Sequence, residues 1–263
     1  MLLDIQSLRV EYPVQGRQPF VAVDGVSLSI GAGESFGVVG ESGCGKTSLA
    51  RAVIGLHPPA GGTICFEGTD ISRMAAAPFK VYRRAVQMVF QDAVGSLNPR
   101  MTVRQTLSEV LRVHLMRPPQ QVGARIRELL DRVGLSQDTL DAYPNEISGG
   151  QCQRVSLARC LALEPRLILA DEPVSALDVS VQARILNLIR KLQNDLNLAV
   201  ILISHDLAVV RNICDRVAVM HNGAFVEQGT TAEVMEHPRH DYTRSLLDAV
   251  PDVARALRAR AHA

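Results

Sequence analysis

Neither sign of charge dominates this sequence. Lys and Arg number 28 against 27 Asp and Glu, a formal charge of +1, so nothing general in the electrostatics favours nucleic acid as a partner. The basic residues that do gather, Arg83 with Arg84 and Arg255, Arg258 and Arg260 near the end, read as solvated helix faces. The five cysteines, Cys44, Cys65, Cys152, Cys160 and Cys214, contain no C-x-x-C pair and form an odd set, which argues against a zinc framework and a disulfide scaffold and fits a reducing compartment. No apolar run approaches the roughly 18 residues that cross a bilayer. The opening MLLDIQSLRVEYP carries an acid within its first residues and no basic segment ahead of a long apolar one, so it does not read as a secretory leader. If a membrane matters, another chain supplies the span. Internal repeats and low-complexity linkers are missing as well.

What is present is 263 residues, 47% of them hydrophobic, enough to bury a substantial core in one or two compact units. The first third alternates in the manner of strands, in LDIQSLRVEY, FVAVDGVSLSI, SFGVVG and GTICFEG, each bounded by Gly, Pro or Asp. After VQMVFQ the texture turns helical: TVRQTLSEVLRVHLM, QQVGARIRELLDRVGL and QCQRVSLARCLAL place apolar residues three and four apart with no strand between them. This predicts a helical subdomain inserted over residues 92–160. Strand and helix then alternate again, in RLILADE, VQARILNLIRKLQNDL, AVILISH, LAVVRNICD, RVAVMHNG and AFVEQG, a rhythm that favours a mostly parallel sheet covered on both faces. Residues 1–91 and 161–240 thus form the core of a single domain and 241–263 a short tail, with the last stretch, from TTAEVMEH onward, reading as short helices broken by Pro238 and Pro251.

Within the core, GESGCGKTS satisfies G-x-x-x-x-G-K-[ST] at Gly40, Gly45, Lys46 and Thr47. At average composition that pattern arises by chance in roughly one chain in a hundred of this length, and its setting makes it stronger. The strand FGVVG leads in and the helical KTSLARAVIGL leads out, which aims backbone N–H groups and the positive helix end at one anion. Gly40, Gly43 and Gly45 allow the turn and the close approach, while Glu41, Ser42, Cys44 and Ser48 complete the loop around it. Lys46 supplies a point charge for β- and γ-phosphates, and the Thr47 hydroxyl is an oxygen ligand for Mg²⁺. A carboxylate at the end of a buried strand is the second requirement. LILADE meets it with Asp171 as the metal partner and, on an extended chain, Glu172 pointing the opposite way to polarise water against the γ-phosphate.

Those motifs specify hydrolysis of a nucleoside triphosphate and little else. A second Gly-Gly turn opens a helix at Ile147 to Gln151, ISGGQ, and forms a second anion site with no lysine of its own. Together with Gln91, SALD at Ser175 to Asp178, and ISHD around His205, it resembles the motif set of ATP-binding cassette (ABC) ATPases, in that family's order and over nearly the whole chain. The resemblance implies an α/β P-loop NTPase core with an N-terminal antiparallel β subdomain and an inserted helical subdomain. It also implies ATP and Mg²⁺ as ligands and a head-to-tail dimer in which Ser148, Gly149, Gly150 and Gln151 face the γ-phosphate held by a second subunit. By the same likeness Gln91 serves the metal or the attacking water, His205 the γ-phosphate, Asp178 communication across the interface, and Tyr12 stacks on adenine, with Phe20 the alternative because PVQGRQP lengthens the loop between them. Ile147 stands where the family's signature has leucine, and Cys152 and Cys44 stand within or beside the two phosphate-binding turns. Buried and inert thiols are expected at both.

Three segments, VFQDAVGSLNPRMTV, ADEPVSALDVSVQARILNLI and HPRHDYTRSLLDAVP, further resemble the ATPase subunits of bacterial oligopeptide and dipeptide importers. The implied partners are two transmembrane permease subunits, a second ABC ATPase subunit (a paralogue or a copy of this chain) and, indirectly, an extracytoplasmic solute-binding protein, with no nucleic acid. The implied location is the cytoplasmic face of the membrane. Many such relatives carry a cysteine-rich tail suited to an iron–sulfur cluster. This sequence has no cysteine beyond Cys214, so no cluster is expected. Import of nickel, metal chelates or opines is the alternative within the family; a non-hydrolysing regulatory subunit and a soluble ABC ATPase acting on ribosomes or DNA are the alternatives outside transport catalysis.

Overall fold

The computed structural model describes residues 1–115, 118–175 and 177–249. The opening strands make a four-stranded antiparallel sheet from β1 (Leu3–Tyr12), β2 (Phe20–Ile30), β4 (Gly61–Phe66) and β5 (Thr69–Asp70), in the order β2-β1-β4-β5. A six-stranded sheet combines β3 (Ser35–Val39), β6 (Val86–Val89), β7 (Leu167–Asp171), β8 (Ala199–Ser204), β9 (Arg216–His221) and β10 (Ala224–Thr230), in the order β10-β9-β3-β8-β7-β6. The five strands from β9 to β6 are parallel, and β10 closes the edge antiparallel to β9.

One irregularity in β1 follows directly from its sequence. Leu3 and Ile5 are buried, then Leu8 and Val10, so the inward face changes parity along the strand. Ser7 lies between them with φ +47°, where pairing with both neighbouring strands shifts register. The extra residue of a bulge moves the later side chains back onto the apolar face.

The large sheet separates two apolar cores, and strand alternation assigns side chains to each. Val200 and Leu202 of β8 join Ile168 and Ala170 of β7 on one face; Ala199, Ile201 and Ile203 join Leu167 and Leu169 on the other. Burial on both faces explains why these strands read as continuous apolar runs. The second face packs against the antiparallel sheet and against α1 (Lys46–Val53), with Leu49, Ala50 and Val53 turned inward. Tyr82 of α2 (Ala76–Ala85) is buried there and donates its hydroxyl to the Val53 carbonyl. The first face meets the inserted helices α3 (Val103–Leu115), α4 (Pro119–Val133) and α5 (Gly149–Leu161) through Leu107, Leu111, Leu129, Leu130 and Val155. Among the described residues no strand lies between β6 and β7. Gly134 ends α4 in the left-handed region at φ +67°, the usual glycine stop.

The chain continues through α6 (Val179–Leu196) and α7 (Leu207–Ile213) to α8 (Thr231–Glu236) and α9 (Asp241–Asp248). Both carboxylate oxygens of Glu227 accept backbone N–H groups at the entry to α9, from Arg239 at 2.8 Å and His240 at 3.0 Å. The break expected at Pro251 lies outside the described residues. Among the described residues no helix is long and apolar enough to cross a membrane.

Candidate nucleotide site

The loops that leave β3, β6, β7 and β8 emerge from the same edge of the large sheet, where open α/β folds bind their ligands. They surround a cavity of about 580 Å³ lined by Phe20, Ala22, residues 40–43 and 45–48, Gln91, Glu172, His205 and Leu246. Gly45 has φ +111°, and a side chain there would run into the Ala22 carbonyl and lie 2.8 Å from Met220 Cε, so both conformation and space demand glycine. Lys46 opens α1 and is 5% exposed. Its Nζ donates to the carbonyls of Gly40 and Glu41, both at 2.7 Å, and lies 3.6 Å from Cys44 Sγ. The Cys44 thiol therefore faces inward beneath the loop, and Cys44 is the one member of residues 40–48 that does not line the cavity, where the sequence suggested a nucleotide contact.

Asp171 ends β7 buried, with the Thr47 hydroxyl hydrogen-bonded to it. Burial, and then the charge of Glu172, pushes its carboxyl up from the ordinary aspartate range despite the Thr47 bond and the cations Lys46 and Arg51. A buried carboxylate beside the hydroxyl of Thr47, which lines the cavity, is the oxygen donor set a hard divalent cation takes. Glu172 is not extended, as strand alternation had suggested. Its φ is +44°, and its amide still donates to Ile203 at 2.9 Å. The left-handed step, rather than alternation, turns its carboxylate toward the cavity. There Gln91 Nε2 donates to Glu172 Oε2 at 2.9 Å and His205 Nδ1 lies 3.3 Å from Glu172 Oε1. Three residues from three different loops thus meet on one carboxylate, and all three line the cavity.

The two candidate aromatics stand opposite each other, since Tyr12 pairs with Phe20 where β1 meets β2. Tyr12 stacks obliquely on His57, with ring centroids 4.6 Å apart, and its hydroxyl reaches Ser48 Oγ at 3.3 Å, but it does not line the cavity. Phe20 does, and is 58% exposed. Sequence reasoning also missed Leu246 and its neighbour Tyr242, whose hydroxyl accepts the Glu41 backbone N–H at 3.1 Å. No local pattern joins positions so far apart.

Residues 148–151 and Asp178 lie elsewhere, and none lines this cavity. Ser148 caps α5 through a reciprocal box: its Oγ accepts the Gln151 N–H at 3.3 Å, and Gln151 Oε1 accepts the Ser148 N–H at 2.9 Å. The remaining amides of that first turn face outward with the positive end of a 13-residue helix behind them. The Asp178 carbonyl starts α6 by accepting the N–H groups of Val181 and Gln182. Burial pushes the thiols of Cys152 and Cys214 up, and that of Cys160 to about 11, so all three stay protonated and unreactive at neutral pH.

A glycine loop between a buried strand and a helix, a caged lysine, and a buried aspartate bonded to the loop threonine define a P-loop nucleoside triphosphatase. Comparison narrows this. The family model for ABC transporters matches residues 23–175, and that for the C-terminal region of oligopeptide/dipeptide transporters matches residues 226–263. The chain belongs to the ABC transporter family, as an ATPase coupled to transport. It is 48% identical over 260 residues to the oligopeptide transport ATP-binding protein OppF of Salmonella typhimurium, covering 95% of this chain and 78% of that one. It is 49% identical over 231 residues to AppF of Bacillus subtilis, also an oligopeptide transport ATP-binding protein, covering 88% and 70%. Among solved structures it is similar to cbiO1 from Clostridium perfringens, part of the transporter complex cbiONQ (TM-score 0.81, 26% identity, 98% of each chain). It is also similar to the dimeric post-hydrolysis state of the ATP-binding cassette MJ0796 bound to ADP and Pi (TM-score 0.77, 26% identity, 88% of this chain and 99% of that one).

Proposed function

We propose that this chain is the ATP-hydrolysing subunit of a bacterial ABC importer for oligopeptides or dipeptides, working at the cytoplasmic face of the membrane through head-to-tail closure of two ATPase subunits. The observation that carries this reading is the division of one anion site between two places in the chain. Lys46 and its loop form one wall of a cavity, while residues 148–151 present a lysine-free helix end that takes no part in it. Two chains arranged head to tail bring each helix end to the other's γ-phosphate, and the solved cassette MJ0796 is dimeric.

Within each site the amides of residues 43 and 45–48 and Lys46 grip the phosphates, and the exposed Phe20 ring on the cavity wall stacks on the adenine. Thr47 and Asp171, with Gln91 beyond them, would hold Mg²⁺, which when bound neutralises charge on the β- and γ-oxygens. Glu172, anchored by Gln91 and His205, orients and deprotonates the attacking water, and His205 stands ready for the γ-phosphate. Ser148, Gly149 and Gly150 of the partner complete the oxyanion contacts, held in place by Gln151, and Asp178 lies at the interface between the subunits. Binding closes the pair because the γ-phosphate joins both chains; cleavage removes that link and the pair reopens.

Permease subunits have a place to dock. A groove of about 270 Å³ between β6, α3 and α5 exposes Leu56 and Phe90 beside Arg83, His114 and Arg159. Burial, then Arg84, Lys80 and Arg83, hold the His114 imidazole below its ordinary range, and Arg83 and Arg159 in the lining make the groove basic as well as apolar. Residues 92–160 act as the helical subdomain, whose Val110, His114, Arg159 and Cys160 form one wall of this groove against the core, and a solute-binding protein delivers peptide from the far side of the membrane. Replacing Glu172 by Gln tests the catalytic assignment: ATP turnover is expected to fall by at least about 100-fold while ATP binding persists and dimers accumulate in gel filtration. Near-normal turnover contradicts the assigned base.

A further inference from the structure

We propose that Tyr242 is a positioning residue of the nucleotide site, holding the phosphate loop from the C-terminal region and setting Lys46 through the Gly40–Glu41 peptide. This rests on the placement of ATP in the cavity of residues 40–48. The peptide between Gly40 and Glu41 is bound at both ends: its carbonyl accepts Lys46 Nζ at 2.7 Å, and its N–H donates to the Tyr242 hydroxyl at 3.1 Å. Rotating that plane breaks both bonds together, so the hydroxyl fixes the direction in which Lys46 is held. Donation by the N–H also polarises the amide and leaves more negative charge on its oxygen, which makes the carbonyl a better acceptor for the ammonium.

The geometry around Tyr242 is built rather than incidental. Its ring lies against His221 at the end of β9, with centroids 4.0 Å apart. His240 Nδ1 accepts the Tyr242 N–H at 3.1 Å, and Glu227 clamps the two amides just before it. One turn further along α9, Leu246 forms part of the cavity wall. Residues 226–263, which match the C-terminal region of oligopeptide/dipeptide transporters, therefore contribute directly to the ATP site. Events that shift α9 are expected to alter nucleotide affinity.

The test is Tyr242→Phe, which keeps the ring on His221 and deletes only the acceptor oxygen. For the purified full chain, the Kd for MgADP by calorimetry and the KM for ATP are both expected to rise roughly fivefold, within a range of about 2- to 13-fold, the worth of one net hydrogen bond. The kcat stays within about twofold, because the Glu172 cluster is untouched. Ser245→Ala, which removes a hydrogen bond within α9 to the Tyr242 carbonyl, serves as the control with unchanged Kd. Wild-type affinity in Tyr242→Phe overturns the proposal. So does tighter binding, since the hydroxyl would then be competing with nucleotide for the Glu41 amide. Lys46→Ala separates the two levels: if it leaves MgADP binding intact, the site itself is misplaced, whereas loss of binding there beside a silent Tyr242→Phe sinks only the positioning role.

Discussion

Gly150 offers the sharpest test of how the second phosphate-binding turn is held. A methyl group added there would sit 2.6 Å from Val181 Cγ1, about 0.8 Å inside ordinary contact. Val181 cannot swing aside cheaply, since a β-branched residue in a helix has one strongly preferred rotamer. Overpacking of this kind costs about 1–3 kcal/mol, and the better helix propensity of alanine returns up to about 1 kcal/mol. Gly150→Ala is therefore expected to lose only about 0–2 kcal/mol, lowering the melting temperature by about 8 °C at most. The larger effect is on position. The start of α5 must move away from α6 by something near 1 Å, a displacement that costs on the order of 100-fold in rate when it misaligns transition-state contacts. ATP turnover should fall by about that factor while MgADP affinity, which depends on the chain's own Lys46 loop, stays unchanged. Val181→Ala removes the clash, because Val181 Cβ lies 4.0 Å from the added methyl, and the double variant is expected to recover to within about tenfold of wild type. Turnover near wild type in Gly150→Ala alone, or a double variant as inactive as the single one, refutes the reasoning.

Two other outcomes are expected. Phe20→Ala should raise the Kd for ATP about tenfold, the worth of one base–aromatic stack, whereas Tyr12→Ala should change it less than threefold; fluorescent-nucleotide titration that finds the reverse order reassigns the base to Tyr12. For Glu227, burial alone would raise the carboxyl, but its polar neighbours, among them the donating amides of Arg239 and His240, outweigh it and hold the group below its ordinary value of 4.5. A depressed acid adds stability above its unfolded pKa and loses it as pH falls through the folded one. Glu227→Gln should thus cost about 1 kcal/mol in urea unfolding at pH 7, after allowance for solvent screening, a deficit that shrinks as the pH falls below 4.5 and through the folded pKa. A deficit that persists unchanged at pH 3 contradicts the ionised clamp.

The parts of the fold legible in the sequence are those whose physics is local. LILAD and AVILIS read as buried strands because both faces are covered, and GESGCGKTS reads as an anion loop because its glycines and lysine lie side by side in the chain. The bulge at Ser7 escaped notice because a change of parity in LDIQSLRV looks like an imperfect alternation until both neighbouring strands are in place. The orientation of Glu172 was inferred from strand alternation, which fails where the strand has already ended and the backbone turns left-handed. The choice between Tyr12 and Phe20 depends on which side of a strand pair faces the cavity, and both residues fit any local rule. Tyr242 is the extreme case: its partner, Glu41, is 201 residues away, and nothing in YTRSLL announces a contact with a phosphate loop.

On the proposed head-to-tail pairing, side-chain packing offers a route between the ATP one chain hydrolyses and the ATP its neighbour holds. Gln91 touches both Glu172 at 2.9 Å and the Ser175 hydroxyl at 3.4 Å. The Ser175 amide in turn donates to the Glu172 carbonyl at 3.2 Å, so the backbone after the catalytic carboxylate is a tight turn rather than a loose loop. Two residues later Leu177 reaches the start of α5: a methyl group on Gly149 would lie 3.3 Å from Leu177 Cδ2, and Val181 crowds Gly150 from the same side. The turn that follows Glu172 is thus packed against Gly149 and Gly150, the glycines proposed to serve the other chain's γ-phosphate. Contact of this kind is a route for coupling only if the segment has two arrangements, and on the proposed pairing loss of the chain's own γ-phosphate would supply the reason for a second one, since it withdraws the anion beside Gln91 and Glu172. Two sites linked in this way need no separate signalling element. The close fit of glycine against Leu177 and Val181 would carry a movement at one site to the other.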